Sequence, residues 1–499
     1  MRWLATTLGV PPTDRSDPSW HVSAAVDSLA YAFSWLWVLV PMVLVSGTDR
    51  LDYLGAYLVV LTFTDVHRHY GLPYVYLDGQ VFRRHPIRFT LFPLLMVALF
   101  VAAPFLSRSR LYLDGPGVAA VLGALVLFVQ VLGRDRDDRR PSGRQLGLTA
   151  AGGFGAAVGA FGLGALAGVP NAVGLAVAAA AFAASSTLDV VQWRAGGEAR
   201  PRFIAPTLCA LALAGALVVG TAPEPTLFRV RGVIAFVAVV AGLWNIWHVY
   251  MQKYGILRLY QAKARPLREE RGTADVPGWV DRLMLFAWMP LYLFALAGEY
   301  RSEVFRLFPQ GRATLGPLFD LVEWAAPVGL PASIALLVVS IGLFLFHEGR
   351  AHGFRSRARV VMAIGTLGLA STFLFVHPLK AYLAFAFSHA LEYMVFVWAF
   401  QRRRYREPLP HRPSIERALR FPWLTYVLSA LVLGGLFLYW KYWGRWIVVE
   451  ADQPRLFGRR AMEWVGYWTI FQSMVHFYFD GFLWKMRLPT VRATIGARS

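Results

Sequence analysis

The sequence predicts an all-α fold, a polytopic transmembrane helical bundle of about fourteen spans. Three observations carry that prediction. Of 499 residues, 57% are hydrophobic and only 16% are charged, against about 25% charged in an ordinary soluble domain. Apolar runs recur from Ala24 to Trp484, each roughly 20 residues long and able to cross about 30 Å of hydrocarbon. The Lys and Arg residues gather in the short segments between those runs, the pattern that membrane topology imposes.

The predicted spans, in order, are 24–46, 51–66, 88–107, 115–133, 145–168, 170–189, 203–221, 231–250, 280–298, 321–346, 357–376, 379–400, 421–440 and 463–484. Residues 1–23, with Pro11, Pro12, Asp14, Arg15 and Asp17, lack the compact apolar core of a cleaved signal peptide, so the first span is expected to be an uncleaved anchor. The fifth and sixth spans are rich in Gly and Ala. Gly155 and Gly159, and again Gly164 and Gly168, have the small-xxx-small spacing that lets helices approach closely. Placing the N-terminus in the cytoplasm and alternating puts about 36 of the Lys and Arg residues inside and about 14 outside. The richest inside loops are 134–144, 251–279 and 401–420; the outside loop 441–462, with five basic residues from Lys441 to Arg460, goes against the trend. Both termini are therefore expected in the cytoplasm, as an N-terminal segment 1–23 and a tail 485–499 flanking a membrane domain 24–484. The expected location is a bacterial inner membrane or a plasma membrane.

The formal charge of +20 serves this topology. No basic face with interleaved aromatics exists outside the spans, so nucleic acid is not an expected partner. The one cysteine, Cys209, sits in an apolar run and reads as a small buried hydrophobe.

Polar groups are expensive in hydrocarbon, so those inside the spans carry the functional information. At the inner end of span two stand Asp65, His67, His69 and Tyr70. On a helix, His67 and His69 point to opposite sides. Closing span eight, Asn245, His248 and Gln252 share one helical face. In span twelve, His389, Glu392 and Tyr393 also share a face, and a carboxylate at that depth demands a cation, a metal or a shared proton. His377 lies twelve residues earlier, roughly 18 Å along the axis, too far to share an ion with His389. In span fourteen, His476 and Asp480 are spaced i, i+4, which can present two ligands to one metal, or let Asp480 orient a ligating imidazole or pair with Lys485. These four spans run in the same direction in the predicted topology. They could therefore pool His67 or His69, His248, His389 and His476, with His67 and His389 offset in depth by about 15 Å. His21, His85, His352 and His411 fall in predicted loops, and His347 with Glu348 ends span ten; all are expected to face solvent.

The stretch His377-Pro-Leu-Lys-Ala-Tyr-Leu-Ala-Phe-Ala-Phe-Ser-His389-Ala-Leu-Glu-Tyr393 resembles a segment of the Brp/Blh family of membrane β-carotene dioxygenases. There too a His follows an aromatic-rich run after a Pro-Leu pair. The resemblance implies a helical membrane enzyme whose histidines hold iron and which cleaves an isoprenoid with dioxygen, and it carries over His389 as a ligand. The family pattern has a second His close after the first, where this chain has Glu392 and Tyr393.

The leading expectation is thus a membrane metal oxygenase or oxidase. His67, His69, His248, His389 and His476 are candidate ligands. Glu392 and Asp480 are candidate ligands or proton carriers. Asp65, Asn245, Gln252 and Tyr393 are the supporting shell. The ligand chemistry suits iron, zinc or manganese, and the lack of thiols argues against soft-metal sites. The partners would be membrane lipid and an apolar small molecule. Two other expectations stand beside it: a transporter or flippase using the same groups as a proton or ion relay, and an assembly subunit whose polar groups only join helices. A common mononuclear site requires imidazoles 248, 389 and 476 to lie within about 8 Å of one another.

Overall fold

A computed structural model of the chain describes residues 20–47, 54–97 (without 87 and 95), 143–166, isolated positions in 176–190, 228–307, 312–405, 427–428, 431, 455–456, 459–484 and 489–495. These are helical apart from one short antiparallel pairing of Arg455–Leu456 with Arg459–Arg460. The chain divides into two units, one of residues 1–78, 243–309 and 317–499, the other of 79–242 and 310–316.

The first unit opens with α1 (Ala24–Asp27), a π-helical turn (Ser28–Ala32) and α2 (Leu36–Ser46). Ser23 caps α1 by accepting from Val26 N, and Asp27 reaches back to the amides of His21 and Val22. The predicted first span is therefore broken, its halves bent by 55°. Then come α3 (Leu54–Tyr70), α4 (Leu72–Leu77) and, after α5 (Gly79–Arg84) and α6 (Gly143–Leu166) of the second unit, α7 (Phe228–Lys263). Span eight thus does not stop at 250: the expected loop 251–279 is helical to Lys263 and again in α8 (Arg265–Arg271). Span nine is split into α9 (Gly278–Phe286) and α10 (Met289–Ala297). There follow α11 (Arg301–Leu307), α12 (Arg312–His352), α13 (Arg357–Ser371) with a 3₁₀ turn to Leu374, α14 (Pro378–Arg404), α15 (Ala461–Leu483) and α16 (Pro489–Thr494).

His377 starts α14. Its Nδ1 accepts from Leu379 N, and Pro378 sits at the first helical position, where its missing N–H costs nothing. That is a capping role, not a ligand's.

Five described helices are long and apolar enough to cross a bilayer, or six if the bent pair 24–45 counts as one. The predicted spans 88–107, 115–133, 170–189, 203–221 and 421–440 fall largely or wholly outside the described residues. Packing distinguishes the others. The apolar window of α14 is 72% buried and that of α12 only 22%. α14 is thus the central helix, while α12 turns Trp324, Val328, Val338 and Phe346 outward, an apolar exterior compatible with lipid.

In the second unit the tight approach occurs at Gly152 and Gly153, where added Cβ atoms would meet Thr187 Oγ1 at 2.9 Å and Ala180 O at 3.3 Å. Gly155 and Gly159, the expected pair, meet nothing within 4 Å among the described residues. In the first unit the tightest approach is Gly365 of α13, where a Cβ would overlap the carbonyl of Ala32 in the π-helical turn. Gly365→Ala is expected to destabilise by about 1–3 kcal/mol through overpacking. Gly342→Ala, at an open position on α12, should be neutral or slightly stabilising. Equilibrium unfolding in mixed detergent micelles checks both; equal effects would contradict the packing described.

Candidate metal centre

Four helices of the first unit build the site, and the order of their contacts shows that they run parallel. Along α14, Phe387 meets Phe63 of α3 at 4.8 Å between ring centroids, His389 meets His67 at 4.8 Å, and Tyr393 packs on Gly71. Along the same helix, His389 meets His476 of α15, Tyr393 meets Asp480, and Phe400 meets Trp484. On α7, Tyr250 packs on Phe385 and Lys253 bonds to Ser388.

This register brings four imidazoles together. His67 lies 4.8 Å from His389 and 4.7 Å from His476, and His248 lies 5.0 Å from each of the same two. The diagonal from His389 to His476 is 6.3 Å. All separations measured among His248, His389 and His476 are inside the limit for a common site. The expected 15 Å depth offset between His67 and His389 is overturned. It assumed that span two ended at 66, whereas α3 continues to Tyr70 and lies alongside α14.

The four rings are buried. Among the described residues, both nitrogens of His67 and of His389, and Nε2 of His248 and of His476, have no hydrogen-bond partner. Buried polar atoms are rarely left so. One nitrogen each from His67, His389 and His476 lie within 4.8 Å of one another, and so do His248, His476 and a carboxylate oxygen of Asp480. Ligands bound at about 2.1 Å stand up to about 4.2 Å apart across an ion, so small ring rotations would seat one. The residues fit a metal: neutral nitrogen donors, one carboxylate, no thiol.

Asp480 is braced from behind. Its Oδ1 accepts from the Tyr393 hydroxyl and from Trp484 Nε1, both at 2.9 Å, leaving Oδ2 at 3.7 Å from His248 Nε2 and 3.6 Å from His476 Nε2. Gly71 makes room for the Tyr393 hydroxyl, which a Cβ there would approach to 2.5 Å. Lys485, the other expected partner of Asp480, lies outside the described residues.

Other expected residues sit elsewhere. His69 points away from the cluster, its Nδ1 on the carbonyl of Asp65 at 2.9 Å, while Asp65 pairs with Arg68. The two-residue spacing from His67 explains it: on a continuous helix they diverge. Glu392 belongs to neither ligand group. It is fully buried and bound to Lys253 Nζ, with Ser388 Oγ donating at 2.6 Å and Gln252 Nε2 at 3.3 Å. Gln252 also donates to the His389 carbonyl, and Ser34 donates to Ser388. Asn245 is half-buried, one turn before His248, and belongs to neither ligand group.

Lys253 is the functional neighbour that sequence reasoning missed, because the helix was expected to end at 250 with basic residues facing the cytoplasm. The surviving signal was Glu392 itself, a mid-span carboxylate in need of a cation. Three histidines expected in solvent are also buried. His21 stacks on Phe396, His85 packs against Phe89, and His352 bonds to Glu348 at 2.9 Å. His411 lies outside the described residues.

Comparison with protein-family models, with curated proteins and with solved structures finds no match for this chain.

Proposed function

We propose that this is a multi-pass membrane metalloenzyme, an oxygenase or oxidase acting on an apolar lipid or isoprenoid. Its centre would be one first-row metal, with iron the leading choice, held by His67, His248, His389 and His476. The observation that carries this reading is the convergence of four buried imidazoles, with unpartnered nitrogens, from four parallel helices. Such a metal supplies dioxygen activation when positions remain open on it. The protein's own groups have separable roles. Asp480 Oδ2 faces the Nε2 atoms of His248 and His476, the ones that would bind the metal, and supplies negative charge or a further ligand beside them. Tyr393 and Trp484 hold Asp480, and the 2.9 Å bond from the Tyr393 hydroxyl is the one through which a proton could reach it. Phe477, whose ring packs on those of His248 and His476, walls one side of the cluster.

The parallel direction of the four helices favours the full topology of about fourteen spans. Two parallel spans need an odd number of crossings between them. Between α7 and α14 lie three membrane-length helices, 278–297, 319–352 and 357–374. With the bias of basic residues, this favours both termini in the cytoplasm.

One observation favours a second reading. The first span is bent by 55° and span nine is split at Ala287–Trp288, and broken helices are a transporter device. In that reading the His and Asp groups relay protons or ions.

Metal analysis of detergent-purified protein tests both. The enzyme reading expects about one iron per chain, filling a single site, with dioxygen uptake dependent on it. A preparation that carries no metal, takes none up, and is equally stable with alanine at 389 or 476 would overturn it and leave the relay or assembly readings.

A further inference from the structure

A second site lies beside the imidazole cluster. The cavity between α7, the α9–α10 junction, α13 and α14 is lined by Tyr250, Lys253, Trp288, Thr366 and Phe385 among others, and has free room for a group about the size of one water molecule. Its walls are apolar except for one indole N–H, one ammonium and two hydroxyls. The indole N–H of Trp288 and the hydroxyl of Thr366 are 6% and 5% exposed as residues, and neither has a partner among the described residues. The Lys253 ammonium has three protons and gives two contacts, to Ser388 and Glu392. The Tyr250 hydroxyl is directed to Tyr292, which in turn donates to the Ala370 carbonyl.

The backbone is irregular at the same place. α9 ends at Phe286 and α10 begins at Met289. Pro290 has no N–H, so the Phe286 carbonyl loses its helical donor. In a membrane protein, broken backbone is tolerated where it is buried in protein or lines a cavity. Indole and ammonium donate only. Glu392 already balances Lys253, so a carboxylate added here would be a buried charge with no partner. The chemistry selects a neutral acceptor of one-atom width.

We propose that this cavity takes the terminal carbonyl oxygen of an apolar ketone or ester, held by Trp288 Nε1 and Thr366 Oγ1 beside the Lys253–Glu392 pair. The oxygen would sit near the metal centre, since Lys253 follows His248 by five residues and Phe385 precedes His389 by four, roughly 6–8 Å of helix. In its role as a substrate anchor the proposal rests on the metalloenzyme reading; as a binding site it does not.

The test uses tritiated geranylacetone, an isoprenoid ketone, with its oxygen-free hydrocarbon as competitor, on detergent-purified protein both metal-loaded and metal-stripped. The ketone is expected to bind at least about 10-fold more tightly than the hydrocarbon. Thr366→Val should weaken it about 5–10-fold, the range for one hydrogen bond, with Thr366→Ser restoring it and metal content unchanged in both. Equal binding of ketone and hydrocarbon, or undiminished ketone binding in Thr366→Val, would overturn the proposal and leave a cavity that holds water only. A protein that takes up no metal yet prefers the ketone would sink the metalloenzyme reading and keep this one. Normal metal loading without ketone preference would do the reverse.

Discussion

His476→Ala is expected to weaken metal binding more than any other single change in the cluster. His476 belongs to both ligand groups, the one with His67 and His389 and the one with His248 and Asp480. Its removal takes a donor from both groups at once, so neither keeps three ligands. His67→Ala or His248→Ala each spares one three-ligand group and should retain partial occupancy. Asp480→Asn keeps an acceptor for Tyr393 and Trp484 but removes the charge beside His248 and His476, so affinity should fall by about 10–100-fold, the range for partners of metal ligands. His476→Ala should fall beyond that, by more than about 100-fold on the same scale. Metal titration of stripped protein, with micelle size and unfolding midpoint as controls for folding, reads the order directly. Wild-type affinity in His476→Ala would refute a centre shared by the two groups.

Much of this was legible in the sequence because hydrocarbon leaves polar residues few places to be. The run of apolar segments indicated helices, and the direction of each could be inferred from the alternation of basic loops. That direction placed His67, His248, His389 and His476 on spans running the same way, and they do meet. What the sequence could not convey was where helices end and break. Residues 251–263 fall in the expected loop 251–279, yet they are helical, and Lys253 among them neutralises Glu392. His69 was as good a ligand by composition as His67; only the continuity of α3 through Tyr70 separates them. Breaks at Ser28–Trp35 and Ala287–Trp288 leave no signal in hydropathy, since both stretches remain apolar.

The same difficulty hid a buried charged network around Arg359, which is expected to dominate stability among the described residues. His352 and Glu348 were expected to face solvent, yet both are fully buried, as is Arg359. Arg359 Nε donates to Glu348 Oε2 at 2.7 Å, Nη2 to Asp281 Oδ1 at 2.5 Å and Nη1 to the Leu257 carbonyl at 2.9 Å. Its guanidinium also lies over the Phe344 ring. One side chain thereby ties α13 to α7, α9 and α12. Arg258, partly exposed, is the remaining cation on Asp281, and Glu348 would keep only His352. Arg359→Ala should therefore destabilise the protein by about 3–5 kcal/mol, because it leaves buried carboxylates without their counter-charge. Arg359→Lys keeps the charge but loses the planar fork that serves three acceptors at once, and should fall between the two. The decisive variant is the triple Arg359→Met, Glu348→Gln, Asp281→Asn. If the penalty arises from uncompensated charge and not from lost packing, removing the two carboxylates should recover a large part of it. Equilibrium unfolding in mixed micelles measures all three, and a triple variant as unstable as Arg359→Ala would assign the effect to the volume of the arginine side chain instead.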